Sequence, residues 1–185
     1  QPSYEDDVNN LGGLMLEGIP IADRRRVIDA NQVNPDGSRG AVEIITGTST
    51  IEVSNLQATA YNNMGVPGAK SFHLLASGYG NLAGVSLGLS NPYFVRHATS
   101  PTATVLGDAM SKNPTFFTNW IGANDVLSYA TNGGAKSDGV TPADDHNTTG
   151  NMNPATYGGN DITNSTVFAS VYSTIVNTLT MNGAK

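Results

Sequence analysis

Two short stretches of this chain carry residue types that could do chemistry at the end of a strand. In Gly122-Ala-Asn124-Asp125 the glycine allows a sharp turn, and the asparagine can aim its amide N–H groups into a crevice. In Asn62-Asn63-Met-Gly65-Val-Pro-Gly68-Ala-Lys-Ser71, Gly68 presents a bare backbone N–H at a Pro-Gly turn. Each also has an ordinary reading: a turn with Asp125 capping the next helix, and a plain Pro-Gly turn. Taken together they say more. They follow candidate strands, in this order, with a connection long enough to cross over between them, and open α/β sheets present binding residues at the C-terminal ends of their strands.

Other candidates are weaker. Gly84-Val-Ser86-Leu-Gly88 matches a nucleophile-elbow pattern, but a poor strand precedes it and Ser90-Asn-Pro92 forbids a long helix after it. His73 sits on the helix expected after Gly68 and reads as a packing or hydrogen-bonding residue. His146, after Asp144-Asp145 in a polar stretch, reads as part of a solvated turn. The third histidine is His97. Asp29-x-Asn31 and Asn34-x-Asp36-Gly37 resemble a calcium loop only superficially, since the glycine position and terminal Glu of an EF-hand do not fit. No cofactor or metal site is expected.

The elements that must hold the two stretches can be read from pattern. Residues 1 to 40 read as an irregular excursion, and Ala41 to Val53, rich in β-branched residues and broken by Thr46-Gly-Thr48, reads as a hairpin. Leu56 to Asn63 is a candidate strand, and a helix opens near Lys70. Residues 78–113 show no sustained period and read as a long insertion. Thr115 to Ile121 has the apolar run of a buried parallel strand, with Trp120 and Phe116-Phe117 beneath the sheet and a helix from Asp125. Residues 131–160, almost wholly Gly, Asn, Thr, Asp and Pro, read as a second surface insertion. Phe168, Val171, Tyr172, Ile175 and Leu179 lie on one face of a helix from about Ser165 to Met181, capped by Thr163 or Asn164 and ended by Asn182-Gly183. Such a helix should deliver the chain to a further strand.

Composition narrows the function classes. The 185 residues suit one domain, and 38% hydrophobic residues suffice for a single core. Nine Lys+Arg against 15 Asp+Glu give a net charge of −6 and no basic patch beyond Arg24-Arg25-Arg26, so nucleic acid is not an expected partner. No apolar run approaches the roughly 20 residues that span a bilayer. The absence of cysteine excludes a disulfide framework and thiolate metal sites.

Asn63-x-Gly65-x-x-Gly68 resembles the second conserved block of SGNH (GDSL-like) hydrolases, and Gly122-x-Asn124-Asp125 resembles the third. Gly12-Gly-Leu-Met-Leu16 is similar, more loosely, to a lipoprotein branch of that family from Gram-negative cell surfaces. The resemblance implies a flavodoxin-like three-layer α/β/α fold with a mainly parallel sheet, incomplete at both ends, occupying 1–185 as part of one domain. It also implies carboxylic ester hydrolysis through an acyl-enzyme. Gly68 by its backbone N–H and Asn124 by its amide would then form the oxyanion hole, with Asn63, Gly65, Gly122 and Asp125 around the substrate. The family's Gly-Asp-Ser-like block and its Asp-x-x-His block are not among these residues, and the expectation is that both lie outside them. A small-molecule, glycan or lipid ester is the implied substrate, an extracytoplasmic or outer-membrane surface the implied location, with a lipid anchor elsewhere and an outer-membrane complex as partner. The alternative is a non-catalytic surface lipoprotein that uses the fold as a glycan-binding or transport accessory module.

Overall fold

The computed structural model describes residues 5–28, 33–38, 40 and 42–185. Near its start, β1 (Leu14–Leu16) and β2 (Ile19–Ala22) pair antiparallel. Glu17 and Gly18 connect them with φ of 51° and 78°, the left-handed pair that matches the twist of a two-residue hairpin. β3 (Arg26–Ile28) pairs antiparallel with β4 (Val42–Ile44). The stretch expected to fold on itself as a hairpin instead divides at Gly47. Its first half joins β3, and its second half bonds to β1, with Met15 N donating to Ile51 O at 2.8 Å and Val53 N to Met15 O at 2.9 Å. Ile51 and Val53 thereby bury against Leu14 and Val95.

Among the described residues, the remaining regular elements are helical. A 3-10 turn covers Ser71–Leu75 and another Leu82–Gly84. They are followed by α1 (Pro92–Val95), α2 (Val105–Ser111), α3 (Asn124–Thr131), α4 (His146–Thr149), a 3-10 turn at Pro154–Thr156, and α5 (Ser165–Thr180). Asn164 caps α5 by accepting from Thr166 N and Val167 N, and Gly183 at φ 84° follows its end. Ile175 and Leu179 of the expected face are buried together with Val167, whereas Phe168 and Tyr172 stack on each other at 5.7 Å. None of these helices is long and apolar enough to cross a membrane.

Residues 78–113 are not a loose insertion. Phe94, Val95, Val105 and Leu106 are buried there: Phe94 and Val105 join the core cluster around Tyr79, Leu106 the one around Ile175, and Val95 the one around Leu14. α1 and α2 span only four and seven residues, and such short helices bury adjacent apolar pairs without displaying a 3.6-residue period.

The described residues form no flavodoxin-like sheet. Among the described residues there are two sheets, each of two antiparallel strands, and no mainly parallel sheet. The segments expected as strands at 56–63 and 115–121 carry no ladder between them. Phe117 N donates to Lys185 O at 3.0 Å and Lys185 N to Thr115 O at 3.2 Å. Trp120 is 96% and Phe116 72% exposed, so neither fills the core, and of this aromatic trio only Phe117 packs against Leu106, Ile175 and Leu179. β-propensity records a fit to a neighbouring pleated surface. Paired only to Lys185 among the described residues, the run stays irregular.

Candidate functional site

Val66-Pro67-Gly68-Ala69 forms a tight turn closed by Ala69 N donating to Val66 O at 3.2 Å, with Gly68 at φ +76°. Proline second and a left-handed glycine third are what a type II turn requires. The Gly68 N–H has no hydrogen-bond partner among the described residues. Asn91 Nδ2 holds the turn from outside through Pro67 O at 2.8 Å, and Asn63 Oδ1 accepts from Gly65 N at 3.0 Å at its approach.

The second stretch meets this turn directly. Asn124 opens α3, and its Nδ2 donates to Ala69 O at 2.9 Å, across 55 residues of sequence. Asp125, 4% exposed, does not cap α3; its carboxylate accepts from Ser71 N at 2.9 Å and Ser71 Oγ at 2.8 Å. The buried carboxylate thus fixes the turn from below, while the second amide hydrogen of Asn124 remains available. Asn63, Gly65 and Asn124 line a cleft of about 970 Å³ with Tyr61, Trp120 and Ile121; Gly68, Gly122 and Asp125 lie outside its lining. Gly122 serves packing: at φ +129°, a β-carbon there would sit 3.2 Å from the Phe168 ring. Gly122→Ala is expected to lower stability by about 1–3 kcal/mol, read as a lower urea midpoint at unchanged slope.

A buried polar network that the sequence did not announce adjoins the turn. Lys70, 4% exposed, donates through Nζ to Asp161 O at 2.6 Å and Gly158 O at 3.2 Å. Burial lowers its pKa, opposed by the nearby Asp161 and Asp125 carboxylates. The Asp161 carboxylate accepts from Gly158 N at 2.6 Å and Asp144 N at 3.0 Å, and pairs with His146 Nε2 at 3.1 Å. His146 is therefore no solvated turn residue. It is 3% exposed and stacked on Tyr157 at 3.8 Å. Its Nδ1 lies 3.1 Å from Thr149 Oγ1, which also accepts from Asn151 N, so this acid, ring and hydroxyl hold the loop after α4 together. Residues fifteen apart in a Gly/Asn-rich stretch share no periodicity that would have exposed the pairing.

His73 has a related place. Its Nδ1 accepts from Lys70 N at 3.0 Å and its ring stacks on Tyr79 at 4.5 Å. Burial, reinforced by Lys70 and resisted by Asp125, lowers its pKa to about 4. A group whose folded pKa is depressed contributes stability above its unfolded value and loses it on acidification. The melting temperature should therefore begin to fall below pH 6.5 and continue to fall towards pH 4. His73→Gln should flatten that part of the profile, and an unchanged profile would remove His73 as its cause.

The remaining candidates stay apart. Ser86 is exposed in the turns after Leu82–Gly84, with neither strand before it nor helix after it. His97, 1% exposed, meets Phe94 and Tyr61 edge-on at 5.4 and 5.9 Å. Asp36 binds Ser38 N at 2.9 Å in a local turn; Asp29 and Asn31 lie outside the described residues. No group of three or more His, Cys, Asp or Glu that could hold a metal occurs among the described residues. No family model matches the chain, and neither a curated protein nor a solved structure matches it.

Proposed function

We propose that these residues supply the oxyanion-stabilising half of a carboxylic ester hydrolase, with the nucleophilic serine and its histidine contributed from outside them. The carrying observation is that Asn124 reaches Ala69 O, one residue from the unpaired Gly68 N–H, so two donors 56 positions apart share one turn. Donors held in place before the reaction stabilise a tetrahedral intermediate without reorganising when its charge develops. Here the holding is built from Asp125 on Ser71 and from Asn91 on Pro67. An acyl-enzyme would form when the serine oxygen, giving its proton to the histidine, attacks the ester carbonyl and the alcohol leaves with that proton; water, deprotonated by the same histidine, then attacks the acyl carbonyl, releasing the carboxylic acid and restoring the serine.

The likeness of both motifs to SGNH hydrolases supports the same reading, and the proposals of an extracytoplasmic location and a lipid anchor rest on that likeness alone. The test is hydrolysis of a short-chain nitrophenyl ester by the full-length protein and its Asn124→Ala variant. A large fall in kcat supports the assignment, and an unchanged rate removes Asn124 from the oxyanion hole.

A further inference from the structure

We propose that Lys70 is a positioning residue that couples the 144–163 segment to the Gly68 turn, so that the order of this segment sets the geometry of the two donors. This rests on the oxyanion reading of the site and names what holds it. Three successive residues after Gly68 are each tied to a different partner. Ala69 O accepts from Asn124, Lys70 Nζ donates to Gly158 O and Asp161 O, and Ser71 donates twice to Asp125.

The far side is equally fixed. The Asp161 carboxylate closes the Gly158–Asp161 turn on itself and binds Asp144 N and His146, which presents both carbonyls to Lys70 in one place. Two further contacts join the same units: Thr163 N donates to Asp125 O at 3.0 Å, and Phe72 meets Tyr157 edge-on at 5.6 Å. A buried ammonium is costly unless paired and hydrogen-bonded. One placed solely for solubility would point to solvent; Lys70 instead spends its donors on backbone carbonyls 88 and 91 residues away. The polar segment is thereby a brace on the turn.

The experiment is site-resolved amide hydrogen exchange on the full chain, comparing wild type with Lys70→Met, which keeps an unbranched side chain and removes the donors. Exchange should rise at least tenfold at Ser71, Asp144 and Gly158, whose N–H groups are bonded within the braced unit, while Val95 and His97 keep their protection. Unchanged exchange at these three amides, or an equal rise throughout the chain, would overturn the proposal. Should Lys70→Met not fold, Lys70→Gln, too short to reach both carbonyls, is read the same way.

Kinetics separate this proposal from the reaction it serves. Lys70→Met should lower kcat on the nitrophenyl ester with little change in KM, and the Lys70→Met/Asn124→Ala double variant should be no slower than Asn124→Ala. Fully multiplicative losses would refute coupling through the turn. If the wild type hydrolyses no ester and the local exchange pattern still holds, the reaction falls and the brace stands.

Discussion

Asp6→Ala is expected to destabilise the fold by about 3–5 kcal/mol, the range for stranding one member of a buried ion pair. Arg96, at the end of α1, is 1% exposed, and both terminal nitrogens donate to the Asp6 carboxylate at 2.8 Å. Its Nη1 also donates to Glu52 O at 2.6 Å, and Asp6 further accepts from Asn55 Nδ2 and Glu52 N. One carboxylate therefore joins the start of the described chain, the 50–55 segment that buries Ile51 and Val53, and the helix that buries Phe94. Removing it takes away the carboxylate that two nitrogens of a desolvated guanidinium share. Urea unfolding measures the loss, and a shift below about 1 kcal/mol would mean that water replaces the carboxylate. The hydrogen bonds from Arg96 foremost hold the Asp6 pKa well below the usual carboxylate range, against the opposing effect of burial. By linkage, its stabilisation is complete above about pH 4 and is lost as pH falls further. This window lies below the one assigned to His73, so the two are separable in a single acid titration.

Asn124→Ala should lower kcat by about two to three orders of magnitude, the usual consequence of deleting one oxyanion donor, equivalent to about 2.7–4 kcal/mol. The same substitution removes a neutral hydrogen bond to Ala69 O, whose net worth to folding is about 1 kcal/mol. Stability and catalysis should thus change by different amounts. KM should move only a few-fold, because a donor aimed at the transition state adds little to ground-state binding. Asn124→Asp is the sharper companion: it places an acceptor against Ala69 O and a negative charge beside the developing oxyanion, and should be at least as slow. A variant that loses activity only in proportion to its unfolded fraction would assign Asn124 a purely structural role.

The turn and the helix ends around the candidate site were legible in the sequence because their signals are local. Pro67-Gly68 specified the turn, Gly122-Ala-Asn124 placed an amide at a helix start, and Asn164 with Gly183 bounded α5. What was not legible depends on distant partners. Thr115 to Ile121 carries the β-branched and aromatic content of a strand, but a strand exists only through its ladder, and Trp120 projects into solvent where the core was expected. Asp125 read either as a cap, a common use of aspartate at a helix start, or as a residue around the substrate; Ser71, 54 residues earlier, takes its carboxylate instead. His146 looked solvated because its neighbours are polar, yet those polar groups satisfy one another and allow it to be buried. Polar segments can be core when their hydrogen bonds close internally.

The most direct test of the central claim is a crystal structure of the full-length protein after reaction with a short-chain alkyl phosphonate ester, whose phosphorus mimics the tetrahedral carbon. An oxyanion hole built from these donors would place a phosphonyl oxygen about 2.7–3.1 Å from both Gly68 N and Asn124 Nδ2, with Asp125 still bonded to Ser71. An adduct whose oxygen points away from these two donors, or no adduct at any serine, would contradict it.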